Sequence, residues 1–262
     1  MKTVIITGAT GAIGWATTQQ LLAQDYRVIM AVRSVERAEK LIAALPSQQH
    51  QMVFVEKLNV SDEDSEEAFV QRIRNKYQPI YALVNNAETL QNKYHSKNGY
   101  ELTYLTNFVG PANLTRMLLP VMEENGAIVS ILSMSARWSN ASKSNYESGE
   151  RRFKPIRAYA DSKMAMGLYM QQLSQHNPQL RINGVDPGIV NTPIFKMNRW
   201  FDPIVAILFR PFCRKPSKAA EIVVRAIKGD STNKVYRYQS ENDYPRGWQN
   251  EATAKRLYGR IH

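Results

Sequence analysis

Two side chains suited to acid–base chemistry lie close together in the stretch Tyr159-Ala160-Asp161-Ser162-Lys163. The stretch lies in a predicted helix, where positions four apart share a face, so the phenol of Tyr159 and the ammonium of Lys163 point into one pocket. A tyrosine has a pKa near ~10, and a neighbouring cation stabilises the phenolate and lowers that pKa. Tyr159 would then exchange a proton near neutral pH. The spacing alone is weak evidence, because the chain contains 13 tyrosines.

A serine hydroxyl follows another predicted strand, in Ser130-Ile131-Leu132-Ser133. At the carboxyl end of a strand, the Ser133 hydroxyl can donate to a carbonyl oxygen or accept from an alcohol while the carbon beside it reacts. A lone serine at a strand end equally well caps a turn.

Glycines follow the first predicted strand in Thr7-Gly8-Ala9-Thr10-Gly11-Ala12-Ile13-Gly14. A turn without Cβ atoms is tight, and its backbone N–H groups can approach a pyrophosphate at the start of the next helix. Glycine turns are common, but this one lies at the first strand-to-helix junction, the context in which a dinucleotide-binding motif has meaning. We therefore predict that Gly8, Thr10, Gly11, Ile13 and Gly14 bind a cofactor.

The end of the second predicted strand, Val32-Arg33-Ser34, bears on cofactor choice. An acidic residue here usually holds the ribose 2′-OH of NAD, whereas a basic residue accommodates the 2′-phosphate of NADP. Arg33 offers a planar fork of donors that suits a phosphate, and Arg37 lies one helix turn further on. The sequence thus favours NADP(H) over NAD(H), although Arg33 is also explained as a surface arginine.

Short apolar strands alternate with longer helical segments along the chain. The predicted strands cover Thr3–Thr7, Arg27–Val32, Met52–Val55, Ile80–Val84, Ala127–Ile131 and Leu180–Val185. The predicted helices cover Ile13–Gln24, Glu36–Ala44, a segment from Ser61, Leu102–Met122 and Arg157–Gln175. Strands that are apolar throughout and separated by helices form parallel sheets buried on both faces. We predict an α/β fold, a doubly wound parallel sheet of the Rossmann type, as one domain over residues 1–262.

These pieces together resemble the short-chain dehydrogenase/reductase superfamily. The resemblance covers about 190 residues and is carried by pieces in the family's order: the TGATGAIG turn, Leu58-Asn59-Val60, Asn85-Asn86-Ala87, Asn107, Ser133, Tyr159-x-x-x-Lys163 and Asp186-Pro187-Gly188-Ile189-Val190-Asn191-Thr192. No single piece is decisive, but their order and positions are highly specific.

The resemblance implies a role for each matching residue. Tyr159 would be the general acid/base, Ser133 would orient the reacting oxygen, and Lys163 would hold the nicotinamide ribose. Asn107 would support a water-linked proton relay through the lysine. The remaining cofactor contacts would come from Asn59 and Val60 near the adenine, Asn86 and Ala87 along the channel, and Pro187, Gly188, Ile189 and Thr192 beside the nicotinamide.

The sequence departs from the usual family pattern in three places. The middle glycine of the commonest family turn falls at Ala12, with Gly11 beside it, a spacing that resembles the extended branch of the superfamily. Glu88 follows Asn85-Asn86-Ala87 where the family has glycine, which brings a Cβ and a charge close to the cofactor. Residues 139–153 read as an inserted polar loop beside the active site. The insertion resembles the retinol-dehydrogenase-like and protochlorophyllide-reductase-like branches, of which we favour the former.

Residues 192–216 would form a lid over the substrate, as the corresponding family segment does. Its aromatic and aliphatic side chains suggest a pocket for a bulky hydrophobic carbonyl or alcohol, although such runs also pack on the protein's own core or on a second subunit.

Residues 151–262 contain 20 Lys+Arg and 8 Asp+Glu within a chain of net charge +11. This basic half suits peripheral contact with anionic lipid, or is simply a solvated face.

The sequence therefore predicts an NADP-dependent oxidoreductase that moves hydride between nicotinamide and a carbonyl/alcohol pair. A catalytically silent NADP-binding sensor or scaffold and a ketoacyl carrier-protein reductase stay open as alternatives. We expect no metal site, because the four histidines have no ligand spacing, and no nucleic-acid partner, because no binding motif is present. A cytoplasmic location and a homo-oligomer are further expectations, the latter by family analogy.

Overall fold

A computed structural model describes residues 1–139, 150–190 and 213–262 of the chain. Its centre is an eight-stranded sheet in the order β10-β9-β8-β7-β4-β1-β2-β3, in which only the edge strand β10 is antiparallel to its neighbour. The strands are β1 (Thr3–Thr7), β2 (Arg27–Val32), β3 (Val53–Lys57), β4 (Ile80–Asn85), β7 (Met122–Ile131), β8 (Arg181–Val185), β9 (Val235–Tyr236) and β10 (Glu241–Asn242). A separate hairpin pairs β5 (Ser96–Lys97) with β6 (Tyr100–Glu101).

Helices cover both faces of the sheet. They are α1 (Ala12–Leu22), α2 (Val35–Ile42), α3 (Glu63–Lys76), α4 (Leu102–Tyr104), α5 (Gly110–Leu118), α6 (Pro155–His176), α7 (Pro216–Lys228) and α8 (Glu251–Ile261). A π-helical turn, Leu105–Val109, joins α4 to α5, and short 3₁₀ turns cover Ser47–Met52, Leu119–Val121, Met134–Trp138, Glu150–Arg152 and Arg246–Trp248. The predicted doubly wound parallel sheet is confirmed.

Local sequence explains where several helices begin. The Ser34 hydroxyl accepts the Arg37 N–H at 3.3 Å and caps α2, while the Asp62 carboxylate accepts the Ser65 N–H at 3.1 Å and caps α3. Side-chain oxygens at these positions satisfy N–H groups that the helix itself leaves open. Proline opens α6 at Pro155, where its missing N–H costs nothing.

The strands β1, β4, β7 and β8 form the buried centre of the sheet, and apolar side chains pack on both of its faces. Val4 and Ile6 of β1 are fully buried on one face with α1 and α7, whereas Ile5 is fully buried on the other. This two-sided burial is the reason that the central strands are apolar throughout.

The predicted helix Leu102–Met122 is wrong at its carboxyl end. The helix ends at Leu118, and Met122 already begins β7. Pro120 explains the difference, since a proline lacks the N–H that would continue the helical bonding.

Candidate active site

The carboxyl ends of the central parallel strands meet at one edge of the sheet. β1 lies between β2 and β4, so the order of the strands reverses at β1. The connections after β1 and after β4 therefore run to opposite faces of the sheet and leave a crevice between them. In open α/β sheets, ligands bind in such a crevice. The glycine turn follows β1 there, Asn86 follows β4, and Ser133 follows β7. The fold thus brings three separate predicted pieces to one place.

The glycine turn after β1 packs directly against the loop after β4. Gly8 has a φ of +63°, and a Cβ on it would lie 2.8 Å from the Cα of Ala87. The Asn86 side-chain amide donates to the carbonyl oxygens of Thr7 at 2.8 Å and Gly8 at 3.1 Å. The buried Thr7 hydroxyl accepts the N–H groups of Asn86 at 3.0 Å and Ala87 at 2.9 Å. The two loops therefore hold each other in place.

The turn leaves the start of α1 open to an anion. Within the described residues, no side chain caps α1 and its first turn holds no acidic residue. Gly11, at the cap position, is exposed, whereas Ile13 and Gly14 are buried against the sheet. Uncapped N–H groups and the helix dipole favour a phosphate at this position. The residues present fit the pyrophosphate of a dinucleotide.

Arg33 and Asn59 follow the next two strands along the same edge. Arg33 is exposed directly after β2, and Val32 before it is buried. Asn59, two residues beyond β3, is half-buried and accepts from the hydroxyl of Ser61 at 3.0 Å, while Val60 is buried. A guanidinium free in solvent at this position is available to an anionic group of a bound ligand.

Helix α6 places Tyr159 and Lys163 side by side under the site. Both are buried, with 5% and 2% of their surfaces exposed. The Lys163 Nζ lies 5.4 Å from the centroid of the Tyr159 ring and donates to the carbonyl oxygen of Ile131 at 2.9 Å. The last residue of β7 thus fixes the lysine, and the predicted pairing of phenol and ammonium on one helix face is present.

Glu88 completes this cluster. Its Oε2 accepts the Tyr159 hydroxyl at 3.1 Å and forms an ion pair with the Lys163 Nζ at 2.6 Å. The sequence predicts only that Glu88 places a charge near the cofactor. Its direct contact with Tyr159 and Lys163 depends on the path of the loop after β4. The exchange of the family's glycine for glutamate is the feature that pointed to it.

Burial raises the pKa of the Tyr159 phenol well above its usual value, and the Glu88 carboxylate raises this pKa further. The hydrogen bond with Ser133 acts in the opposite direction, and the charge of Asp186 raises the pKa again. The net direction differs from the lowering expected from Lys163 alone. Since Glu88 is ion-paired with Lys163 at 2.6 Å, its negative charge offsets the positive charge of the lysine beside the phenol.

Ser133 lies beside Tyr159 at the end of β7. Its oxygen accepts from the N–H of Ser135 at 3.2 Å and from the Ser135 hydroxyl at 2.9 Å. These contacts orient the Ser133 hydroxyl at the start of the 3₁₀ turn Met134–Trp138. Ser133 and Tyr159 are thus two hydroxyl groups close enough to share one substrate oxygen.

Asn107 lies in the π-helical turn between α4 and α5. Its amide group donates to the Thr89 carbonyl at 2.8 Å and accepts the Thr89 N–H at 2.8 Å, and it donates to the Ser162 hydroxyl at 3.2 Å. A π-turn is often associated with a functional site. Asn107 therefore fixes the residue that follows Glu88, while its place in a proton relay stays a prediction.

The segment after β8 leaves the sheet at the same edge, next to the end of β7. Pro187 is buried, while Gly188, with a φ of +71°, and Ile189 are exposed. Asp186 before them is paired with Arg237 at 3.3 Å, a contact that the sequence did not suggest. Thr192, the last predicted cofactor contact, lies outside the described residues.

Most of the two predicted loops also lies outside the described residues. In the insertion 139–153, only Ser139 and residues 150–153 are described, and the Ser139 hydroxyl donates to Asp161 at 2.5 Å. In the lid 192–216, only residues 213–216 are described, with Pro216 opening α7. Among the described residues, no group of potential ligands could hold a metal ion, and no helix is long and apolar enough to cross a bilayer.

Comparison with known proteins places this geometry in context. Residues 2–200 match the short chain dehydrogenase family. Mouse retinol dehydrogenase 12 is 29% identical over 268 residues, covering 98% of this chain and 84% of the relative. Human polyprenol dehydrogenase is 26% identical over 211 residues, covering 76% of this chain and 64% of the relative.

Solved structures share the fold at low identity. A protein from Mycobacterium paratuberculosis superposes with a TM-score of 0.78 at 23% identity, over 100% of this chain and 93% of that protein. A protein from Shigella flexneri solved in complex with NADP gives a TM-score of 0.70 at 19% identity, over 91% of this chain and 97% of that protein.

Proposed function

The chain belongs to the short-chain dehydrogenase family, in a branch similar to retinol dehydrogenases, and we propose that it uses NADP(H) to interconvert a bulky hydrophobic alcohol and its carbonyl compound. It is an oxidoreductase acting on an alcohol/carbonyl pair, and the proposal adds the cofactor preference, the substrate class and the residues that act. One observation carries the proposal: Tyr159, Lys163 and Ser133 meet at the sheet edge beside the glycine turn.

Two hydroxyl groups would act on the substrate oxygen. The Ser133 hydroxyl donates to the carbonyl oxygen and fixes its position. The Tyr159 phenol gives its proton to the same oxygen as the carbonyl carbon is reduced, and takes the proton back in the reverse direction. Lys163, held by the Ile131 carbonyl at 2.9 Å and by Glu88 at 2.6 Å, would hold the nicotinamide ribose beside the phenol. When bound, the nicotinamide supplies or accepts the hydride.

The chain's own residues fit such a cofactor. The open N–H groups at the start of α1 suit the pyrophosphate, and the absence of a Cβ at Gly8 lets the glycine turn pack against Ala87. Asn59 and Val60, which follow β3, would lie near the adenine, and Pro187, Gly188 and Ile189, which follow β8, would lie beside the nicotinamide. We extend the same role to Thr192 from the sequence alone.

The preference for NADP(H) rests on the end of β2. Arg33 is exposed there, and no acidic side chain stands at the strand end to hold a ribose hydroxyl pair. A guanidinium group binds a phosphate through charge-assisted hydrogen bonds, and NAD lacks the 2′-phosphate that would accept them. The solved relative in complex with NADP is consistent with this preference.

The substrate class rests on two kinds of support. The relatives named above are a retinol dehydrogenase and a polyprenol dehydrogenase, whose named substrates are long and apolar. The sequence of residues 192–216 supplies the aromatic and aliphatic side chains that a greasy pocket needs. Membrane contact by this segment, a homo-oligomer and a cytoplasmic location stay predictions from the sequence.

A substrate panel tests the proposal. Purified protein is given NADPH with retinal, a polyprenal and a small polar aldehyde, and NADPH absorbance is followed; the reverse reaction uses NADP⁺ with the alcohols. We expect turnover of the apolar aldehydes with NADPH above NADH and above the polar aldehyde. Tight NADPH binding without turnover of any compound would instead favour a silent sensor.

A further inference from the structure

Glu88 contacts both side chains that would carry the proton chemistry. A single carboxylate oxygen, Oε2, accepts from the Tyr159 hydroxyl at 3.1 Å and from the Lys163 Nζ at 2.6 Å. The Glu88 side chain is 18% exposed and the Lys163 side chain 3%. The contact thus lies largely out of water, where charges act on their neighbours more strongly than at the surface.

The ion pair changes what Lys163 does to the phenol. A free ammonium beside Tyr159 would stabilise the phenolate, but an ammonium paired at 2.6 Å presents little net charge to the phenol oxygen. The carboxylate also accepts a hydrogen bond from the Tyr159 O–H group, which stabilises the neutral, protonated form of Tyr159.

The other charged groups near the phenol do not reverse this effect. Asp186, from the end of β8, adds a second negative charge, although it is paired with Arg237 at 3.3 Å. Ser133 is uncharged, and its hydrogen bond with the phenol favours the phenolate. This effect is smaller than the opposing effects of burial and of Glu88. Burial, Glu88 and Asp186 thus raise the pKa of Tyr159, whereas the hydrogen bond with Ser133 lowers it.

From this geometry we propose that Glu88 is a positioning residue that keeps Tyr159 in its proton-donating form, so that the site works as a carbonyl reductase at neutral pH. The inference rests on the proposed function. In reduction, the Tyr159 O–H bond breaks, its proton goes to the carbonyl oxygen, and a hydride from the reduced cofactor goes to the carbonyl carbon. Alcohol oxidation needs the phenolate, so its rate rises about tenfold for each pH unit until the pKa of Tyr159 is reached.

The first test measures the Tyr159 phenol itself and needs no substrate. The protein is labelled at the tyrosine Cζ with carbon-13, the phenol carbons are titrated by NMR, and Tyr159→Phe assigns the resonance. Glu88→Gln keeps the shape and a hydrogen-bonding group but removes the charge. We expect the pKa of Tyr159 to fall by about 1–3 units in Glu88→Gln, the range for loss of one nearby charge.

The second test follows the pH profile of kcat/KM in both directions. In Glu88→Gln, the alkaline rise of alcohol oxidation should move to lower pH by the same amount as the pKa of Tyr159. Glu251→Gln is the matched control, because it also removes one negative charge but lies in α8, paired with Lys255 at 2.7 Å. The control should leave both the pKa and the profile unchanged.

Two failures are distinguishable. If Tyr159→Phe keeps normal turnover, the proposed function falls. If Tyr159→Phe is inactive but the pKa of Tyr159 is the same in Glu88→Gln as in the unaltered protein, the inference about Glu88 is overturned and the proposed function stands.

Discussion

Replacing Gly14 by alanine tests the packing that holds the glycine turn against the sheet. Gly14 lies in α1, and a Cβ there would lie 2.7 Å from the carbonyl oxygen of Gly8 and 2.8 Å from both the Cα of Ala9 and the Nδ2 of Asn86. Two of these three atoms belong to backbone, which cannot rotate away. The Asn86 amide would have to shift from its hydrogen bonds with Thr7 and Gly8.

The expected loss of stability follows from these contacts. Overpacking costs about 1–3 kcal/mol, and each weakened hydrogen bond costs about 0.5–1.5 kcal/mol, while alanine regains about 1 kcal/mol of helix propensity. The free energy of unfolding should therefore fall by about 1–5 kcal/mol. At about 2–4 °C per kcal/mol for a chain of this size, Tm falls by about 2–20 °C.

A second glycine supplies the matched control. Gly259 also lies inside a helix, α8, but a Cβ there meets no atom within 4 Å. Gly259→Ala should stabilise the protein by about 0.5–1 kcal/mol, because it only restricts the unfolded chain and improves helix propensity. Thermal unfolding followed by far-UV circular dichroism measures both variants. A Gly14→Ala protein as stable as Gly259→Ala would refute the close packing described here.

Three further predictions concern the cofactor, a buried acid and the π-turn. Arg33→Ala should weaken NADPH binding by about 10- to 100-fold, since a charge-assisted hydrogen bond contributes about 1.5–3 kcal/mol, and leave NADH binding unchanged; calorimetric titration measures both, and an equal loss for NADH would refute the role. Burial, with repulsion from Glu63 and Asp62, raises the pKa of the Glu66 carboxyl to about 9 from 4.5. The folded state thus binds the proton more tightly, so this group's contribution to stability is full below about pH 4.5 and is lost as pH rises towards about 9. Glu66→Gln should flatten the pH dependence of the free energy of urea unfolding across that window and stabilise the protein by about 3 kcal/mol at pH 7. If this free energy changes with pH as steeply as in the unaltered protein, the pKa of Glu66 is not raised. Asn107→Ala removes the partner of both backbone groups of Thr89 and should cost about 1–3 kcal/mol in urea unfolding together with a lower kcat, whereas unchanged turnover would limit Asn107 to a structural role.

Sequence patterns predicted the parts of the fold that are set locally. Thr3–Thr7 and Arg27–Val32 form strands with the predicted bounds, because each is a short apolar run followed by a glycine or a polar residue. The pairing of Tyr159 with Lys163 followed from helix periodicity alone. The short edge strands β9 and β10 were not predicted, since two-residue strands carry no periodicity.

Features that depend on distant contacts could not be predicted. The upward direction of the Tyr159 pKa arises from burial and from Glu88, which is 71 positions away in the chain. Glu66 is one of three acidic residues in the first turn of α3, but its Oε1 is buried without a hydrogen-bond partner among the described residues. Each of these depends on how helices and loops pack, which a local pattern does not encode.

The sequence places more of the proposed cofactor side of the site on described residues than of the proposed substrate side. Gly8, Asn86 and Pro187 lie at strand ends, where the order of the sheet alone brings them together. The proposed substrate side would depend on the predicted insertion and the predicted lid, whose sequences show no regular period that fixes the path of the chain. Direct measurement with substrates is therefore the way to define that side.

The proposed reaction depends most on the Tyr159 phenol as the proton donor and acceptor. The direct measurement is kcat for NADPH-dependent reduction of the best apolar aldehyde by the unaltered protein and by Tyr159→Phe, with NADPH binding to both measured by fluorescence titration. We predict that kcat falls by at least about 100-fold while the Kd for NADPH stays nearly the same. Normal turnover by Tyr159→Phe with intact NADPH binding would contradict it.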